Sequence, residues 1–314
     1  MNIYFTFEPR EDLKQDVLNE FPTINFSFTT GLQTEELAKA NVLVTYGEDL
    51  KAEHLEVADN LQWIFVASAG VEKMPAEAIV NRGIYVSNVR GIHKKPMTES
   101  ILAHILAYKR ALPVVYKQQA EKVWNKKTKV TELNGSTALI LGPGAIGAEI
   151  GRILQAFDVK TIGCNRSGKL IPEMDETYPI DELLQQLPNA DIVISMLPST
   201  DETKHLLKAE HFKAMKESAL FMNFGRGNLV EENILIEALQ NNEIEHAILD
   251  VYEVEPLPAD SELWNLSNVT LSPHFSSHSS RYVERTLEIF KPSLQKWLNG
   301  ERVLPNEIDL TKGY

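Results

Sequence analysis

The chain has one cysteine, Cys164, in 314 residues. A lone thiol excludes an intrachain disulfide, a Cys-x-x-Cys redox pair and a thiolate zinc site, and it points to a reducing cytoplasm. Long apolar runs are also missing. None approaches the roughly 20 residues that span a bilayer, so no membrane role is expected. Cations are in deficit, with 31 Lys and Arg against 44 Asp and Glu and a formal net charge of −13. Such a surface repels nucleic acid and anionic lipid. An anionic small molecule would need local cations, which draws attention to the Arg and Lys residues beside glycine-rich turns. There is no Gly-x-Ser-x-Gly elbow and no His-Glu-x-x-His pair, so neither a serine hydrolase nor a metal site is expected. The opening residues Met1-Asn2-Ile3-Tyr4-Phe5 read as a strand rather than a secretory signal.

What is present is a two-part α/β pattern. The length suggests two domains. Between residues 1 and 90, Ile3–Phe7, Ile24–Phe28, Val42–Thr45, Trp63–Val66 and Ile84–Val86 read as strands separated by helical stretches, the signature of a parallel sheet. Apolar spacing predicts one long helix from Met97 to about Tyr116. A second series follows, with strands expected at Thr137–Leu141, Lys160–Cys164, Ile192–Met196, Ala219–Asn223, Ala247–Asp250 and Val269–Leu271. Helices are predicted at Ala145–Phe157 and Glu231–Gln240, and a last one near Ser280–Leu298 returns to the first part.

The motif Gly142-Pro143-Gly144-Ala145-Ile146-Gly147 sits between a predicted strand and a predicted helix. In that context it reads as a dinucleotide loop: Gly142 for the turn, Gly144 for approach of the pyrophosphate, Gly147 for helix–strand packing. An NAD-binding loop carries a carboxylate about 20 residues on, whereas this chain has Asn165-Arg166-Ser167-Gly168. Asn165 removes the repulsion toward a 2′-phosphate, Arg166 can bind one, and Ser167 adds a neutral donor. NADP(H) is therefore favoured, with NAD(H) possible.

Four further segments occur in order: Ala67-Ser68-Ala69-Gly70-Val71, Asn223-Phe224-Gly225-Arg226-Gly227, Asp250-Val251-Tyr252-Glu253-Val254-Glu255 and Ser272-Pro273-His274. With the glycine loop they resemble the D-isomer-specific 2-hydroxyacid dehydrogenase family over nearly the whole chain. The resemblance implies a two-domain α/β fold, in which a Rossmann dinucleotide-binding domain (93–276) is inserted in a flavodoxin-like substrate domain (1–92 and 277–314), with a cleft between them. It implies that Arg226 binds the substrate carboxylate, that His274 is the acid/base and that Glu255 is its partner. It further implies that Ala69, Gly70 and Val71 offer backbone N–H groups to substrate, that Leu197 and Pro198 line the adenine, and that Asp250 meets the nicotinamide amide. A homodimer is the family expectation.

The residue types suit the chemistry by themselves. Reduction of a carbonyl leaves an oxygen that needs a proton, which a histidine can supply near neutral pH. A carboxylate on the other ring nitrogen would orient it. A guanidinium offers a planar fork to a carboxylate, and the glycines beside Arg226 are expected to leave room for the ligand. His93 and His278 fall near segments expected to flank the cleft, and Trp124 and Trp264 are expected to serve packing. The expected reaction is reduction of a small 2-oxo acid, glyoxylate or hydroxypyruvate, to the D-2-hydroxy acid. An NAD-linked D-lactate or phosphoglycerate dehydrogenase and a non-enzymatic nucleotide sensor are the alternatives.

Overall fold

The computed structural model describes residues 1–68, 70, 71 and 73–310. They divide into two compact units, one formed by the described residues up to Ile92 together with those from Ser279 onward, the other by His93–His278.

The first unit is built on five short parallel strands: β1 (Asn2–Phe5), β2 (Asn25–Phe28), β3 (Val42–Thr45), β4 (Trp63–Val66) and β5 (Tyr85–Asn88). Their order is β2-β1-β3-β4-β5, the flavodoxin-like arrangement. β3 and β4 read Val-Leu-Val-Thr and Trp-Ile-Phe-Val and are buried throughout, because a parallel sheet is covered on both faces. The helix Tyr282–Leu298 closes one face. Its Leu287, Phe290, Leu294 and Trp297 pack with Ile3, Phe5, Trp63 and Phe65. Trp63 also donates its indole N–H to Ser87 Oγ at 3.0 Å, so the large ring is buried without an orphaned donor.

The second unit carries seven parallel strands: β6 (Thr137–Leu141), β7 (Lys160–Asn165), β8 (Glu176–Pro179), β9 (Ile192–Ser195), β10 (Leu220–Asn223), β11 (His246–Leu249) and β12 (Val269–Leu271). The order β12-β11-β10-β9-β6-β7-β8 is the doubly wound dinucleotide order extended by one strand, with its reversal between β6 and β9. Six strands were expected; β8 is the addition. It pairs only with β7, is half-buried along its length and ends in proline, so it shows neither an apolar run nor an alternation.

The single helix expected from Met97 to Tyr116 is two, Lys94–Lys109 and Leu112–Ala120. Ala111 between them adopts a left-handed backbone, φ 51°, and Pro113 enters the first turn of the second helix, where its missing N–H does no harm. Trp124, expected to pack, is 88% exposed after that second helix.

At the amino-terminal edge of this sheet, the His246 ring stacks near Tyr108 (centroids 4.9 Å apart) with Nε2 2.9 Å from Thr270 Oγ1. Burial pulls its pKa from 6.5 down to about 4, against a smaller opposing effect of Glu245. Between those two values the unfolded chain takes up a proton that the folded chain refuses. Stability therefore falls as the pH is lowered through that window, and is complete above it. The thermal midpoint of the wild-type protein is expected to drop more steeply between pH 7 and 4.5 than that of His246→Phe; parallel curves would contradict the assignment.

Candidate active site

The glycine loop lies at the carboxyl end of β6, at the point where the strand order reverses. Gly142 has φ +79°, and its N–H donates to Cys164 O of β7 at 2.9 Å. A Cβ on Gly147 would lie 2.7 Å from Gly142 O, so helix Ala145–Gln155 sits against the strand at a distance only glycine allows. A Cβ on Gly144 would meet nothing within 4 Å. The open side of the loop faces the first turn of that helix, where the N–H groups of Ala145, Ile146 and Gly147 have no partner within the helix and suit a phosphate.

At the end of β7 the loop is organised by Asn165. Its Oδ1 accepts the N–H groups of Ser167 (3.0 Å) and Gly168 (2.7 Å), and its Nδ2 donates to Lys169 O at 2.8 Å. Asn165 therefore shapes the loop, a task the sequence reading did not assign to it. Gly168 has φ +69°, and a Cβ there would sit 2.8 Å from Pro179 Cδ. The β8 strand thus denies this position to a bulkier or basic residue. Arg166 is left exposed, with its guanidinium paired to Glu202. Leu197 and Pro198 follow β9; Leu197 packs over Gly142, and Pro198 O accepts Thr203 Oγ1 at 2.6 Å.

Arg226, Glu255 and His274 all belong to the second unit, on loops beyond the carboxyl ends of β10, β11 and β12. His274 Nδ1 lies 2.7 Å from Glu255 Oε2, and the other carboxylate oxygen accepts Tyr252 N–H at 3.0 Å. Arg226 is exposed; Asn223 Nδ2 donates to its carbonyl oxygen, and its own guanidinium donates to Gly225 O. Among the described residues it has no carboxylate within ion-pair distance. In an acidic chain such a cation stands ready for an anion.

The glycines beside Arg226 do something other than leave room for a ligand. A Cβ on Gly225 would lie 2.4 Å from Leu197 O, and one on Gly227 would lie 1.8 Å from the carbonyl carbon of Tyr252. Protein backbone fills both spaces. Gly227 lets the Arg226 loop and the Tyr252–Glu255 loop touch.

Asp250 is the residue for which the resemblance implies a nicotinamide contact. It is fully buried, and its oxygens accept from Ser272 Oγ (2.6 Å), Phe275 N–H (3.1 Å) and Ser276 N–H (3.2 Å). Tyr252, not singled out from sequence, links the same loops through its hydroxyl, which donates to Ser272 O at 2.9 Å and Leu249 O at 3.1 Å. Beside His274 and Glu255 opens a cavity of about 650 Å³, walled mainly by Tyr252, Pro256, Leu257, Trp264 and Leu271. Trp264, expected to serve packing, is half exposed on that wall.

His93 is half-buried, and burial lowers its pKa. His278 follows the His274 loop, its N–H on Phe275 O. In the first unit, Gly70 and Val71 follow β4, and Gly70 O accepts Ser68 Oγ at 2.8 Å. Ala69 lies outside the described residues.

Residues 102–276 match the family model described as D-isomer specific 2-hydroxyacid dehydrogenase, NAD binding domain. The chain is 32% identical over 290 residues to glyoxylate/hydroxypyruvate reductase B of Escherichia coli, covering 87% of each protein. It is 31% identical over 279 residues to D-3-phosphoglycerate dehydrogenase of Methanocaldococcus jannaschii, covering 87% of this chain and 53% of that one. A crystal structure of a D-isomer specific 2-hydroxyacid dehydrogenase family protein from Aeromonas salmonicida superposes with a TM-score of 0.84 at 31% identity, covering 98% of both chains. The parallel sheets, the glycine loop at the strand reversal and the His274–Glu255 pair thus come together in one protein, which belongs to the D-isomer specific 2-hydroxyacid dehydrogenase family and is an NAD(P)-dependent oxidoreductase acting on CH–OH donors.

Proposed function

We propose that this chain reduces a small 2-oxo acid of the glyoxylate or hydroxypyruvate kind to the D-2-hydroxy acid, with NADPH preferred to NADH. The observation that carries the reading is the His274–Glu255 pair at 2.7 Å, on loops neighbouring that of Arg226, which among the described residues has no carboxylate within ion-pair distance. Glutamate on Nδ1 holds the imidazole with its proton-bearing Nε2 directed away from the protein partner, so that Nε2 hands a proton to the carbonyl oxygen. Arg226 takes the substrate carboxylate in its fork and polarises the adjacent carbonyl. When bound, the dinucleotide supplies the hydride that adds to the carbonyl carbon; the residues that would hold it are the 142–147 loop, Arg166, Ser167, Leu197 and Pro198. The name of the Escherichia coli relative supports the choice of acid.

The deciding experiment follows NADPH and NADH oxidation separately against glyoxylate, hydroxypyruvate, pyruvate and phosphohydroxypyruvate. Turnover of the first two above the others is expected. A preference for phosphohydroxypyruvate would replace the reading with that of the second named relative, and no turnover at all would end it.

Cofactor choice rests on Arg166, which must leave Glu202 to meet a 2′-phosphate. A charge-assisted hydrogen bond contributes about 1.5–3 kcal/mol, so Arg166→Ala is expected to weaken NADPH about 10- to 100-fold. NADH affinity should stay nearly constant, and equal losses would place the 2′-phosphate elsewhere. We also read the segment after Ala111 as the contact between two copies, because Tyr116, Val123 and Trp124 present apolar surface there to solvent.

A further inference from the structure

We propose that His205 is a positioning residue for the catalytic loops, tying the segment that follows β9 to the Arg226 loop and to the Tyr252–Glu255 loop. The inference rests on the reading of Arg226 as the carboxylate ligand and of Glu255 as the partner of His274. Its basis is the meeting of three segments that lie far apart along the chain. The His205 ring is set between two carboxylates, with Nε2 3.0 Å from Glu253 Oε1 and Nδ1 3.5 Å from Glu231 Oε1. Glu253 stands two residues before Glu255, and Glu231 stands at the amino end of the helix Glu232–Gln240. Glu253 also holds that helix, because its other oxygen accepts the Glu232 N–H at 3.4 Å.

The backbone of His205 makes a further attachment. Its N–H donates to Asn228 O at 2.8 Å, two residues after Arg226, while Asn228 Nδ2 donates to Ser199 Oγ at 2.8 Å. The segment 199–205 is thus fastened at both ends to one residue of the Arg226 loop. To do this His205 takes φ 51°, a left-handed backbone that a residue with a Cβ seldom adopts unless its surroundings hold it there. That turn aims the N–H at Asn228 and the ring at Glu253.

The electrostatics give the ring its task. Glu231 and Glu253 are like charges on neighbouring loops, and among the described residues neither has a Lys or Arg within ion-pair distance. Left alone they would push apart the loops that touch at Gly227. An imidazole between them offsets that repulsion. Its side chain is only 25% exposed, so the contact is screened less than a surface ion pair.

His205→Asn isolates the ring contact, since asparagine adopts a left-handed backbone readily but is too short to reach Glu253. It is expected to lower kcat about tenfold and to raise the KM of the 2-oxo acid about three- to tenfold, within the range over which residues in contact couple. Dinucleotide affinity, read by fluorescence titration, should change less than about threefold, because the backbone bond to Asn228 remains. His205→Arg should restore kcat to within about threefold of the wild type, as a guanidinium can donate to two carboxylates at once. Glu253→Ala removes the other half of the contact, and the double variant with His205→Asn should be no slower than Glu253→Ala alone.

Wild-type kcat in His205→Asn would overturn the proposal. So would a His205→Arg protein as slow as His205→Asn, which would show that the ring only fills space. Retained kcat with lost dinucleotide affinity would also overturn it and assign His205 to the cofactor segment. If His205→Asn does not fold, Glu253→Ala decides from a more exposed side chain, since wild-type turnover there contradicts the link. Failure of the underlying reading is seen separately, in a His274→Ala protein that retains turnover.

Discussion

Replacement of His274 by alanine is expected to lower kcat about 10²- to 10⁴-fold, the range that a positioned general acid contributes. Dinucleotide affinity should be unchanged, since the glycine loop and the Arg166 loop lie on other strands of the sheet. The expectation follows from the geometry of one side chain. Nδ1 is committed to Glu255 at 2.7 Å, so Nε2 is the ring nitrogen left to deliver a proton. His205 does contact Glu231 and Glu253, but both of its ring nitrogens are taken up by them. Glu255→Gln should produce a smaller loss, because a neutral amide still orients the ring while it no longer balances the imidazolium charge. Steady-state kinetics with a fluorescence titration of the dinucleotide separates these outcomes. Wild-type turnover by His274→Ala would remove the proton-donor role.

The second large effect is expected at Gly227. A methyl group there would lie 1.8 Å from the Tyr252 carbonyl carbon and 2.5 Å from Glu253 N. Both obstacles are backbone, so no rotamer change relieves them, and the Tyr252–Glu255 loop must shift to accept the methyl. Overpacking typically costs about 1–3 kcal/mol, and contact with main chain belongs at the upper end. More telling is the direction of the shift, which separates the loop bearing Arg226 from the loop that holds the His274 ring. Gly227→Ala is accordingly expected to lose activity by more than about 100-fold and to unfold several degrees below the wild type.

Gly144→Ala provides the contrast. Its Cβ would enter open space, so the fold should be unaffected by sterics. If that space belongs to the pyrophosphate, dinucleotide affinity should fall while the melting temperature holds. A Gly227→Ala protein of wild-type activity would show that the two loops need not touch.

Much of this was legible before the fold was known. The runs Val42–Thr45, Trp63–Val66, Thr137–Leu141 and Ile192–Ser195 are strands covered on both faces nearly throughout, and such a strand is predominantly apolar, so composition alone exposes it. The edge strand Glu176–Pro179 escaped for the opposite reason: half-buried residues carry no such constraint. Pro113 already marked where a helix begins, but the left-handed turn at Ala111 that divides the expected long helix has no signature in an alanine.

At the site, the family resemblance singles out Arg226, Glu255 and His274 along the chain, and their residue types suit carboxylate binding and proton donation. Their support could not be read that way. Asn165 looked like the absence of a carboxylate and is the organiser of its loop; Gly225 and Gly227 looked like space for a ligand and are filled by backbone. Asp250, Tyr252 and Ser272 are polar residues at strand ends, common in any turn. Sequence determined which residues have the chemistry, because chemistry belongs to the side chain. Only the tertiary structure decided that Asp250 and Ser272, 22 positions apart, share a hydrogen bond beneath His274, because partners distant along the chain are set by how strands β11 and β12 pair.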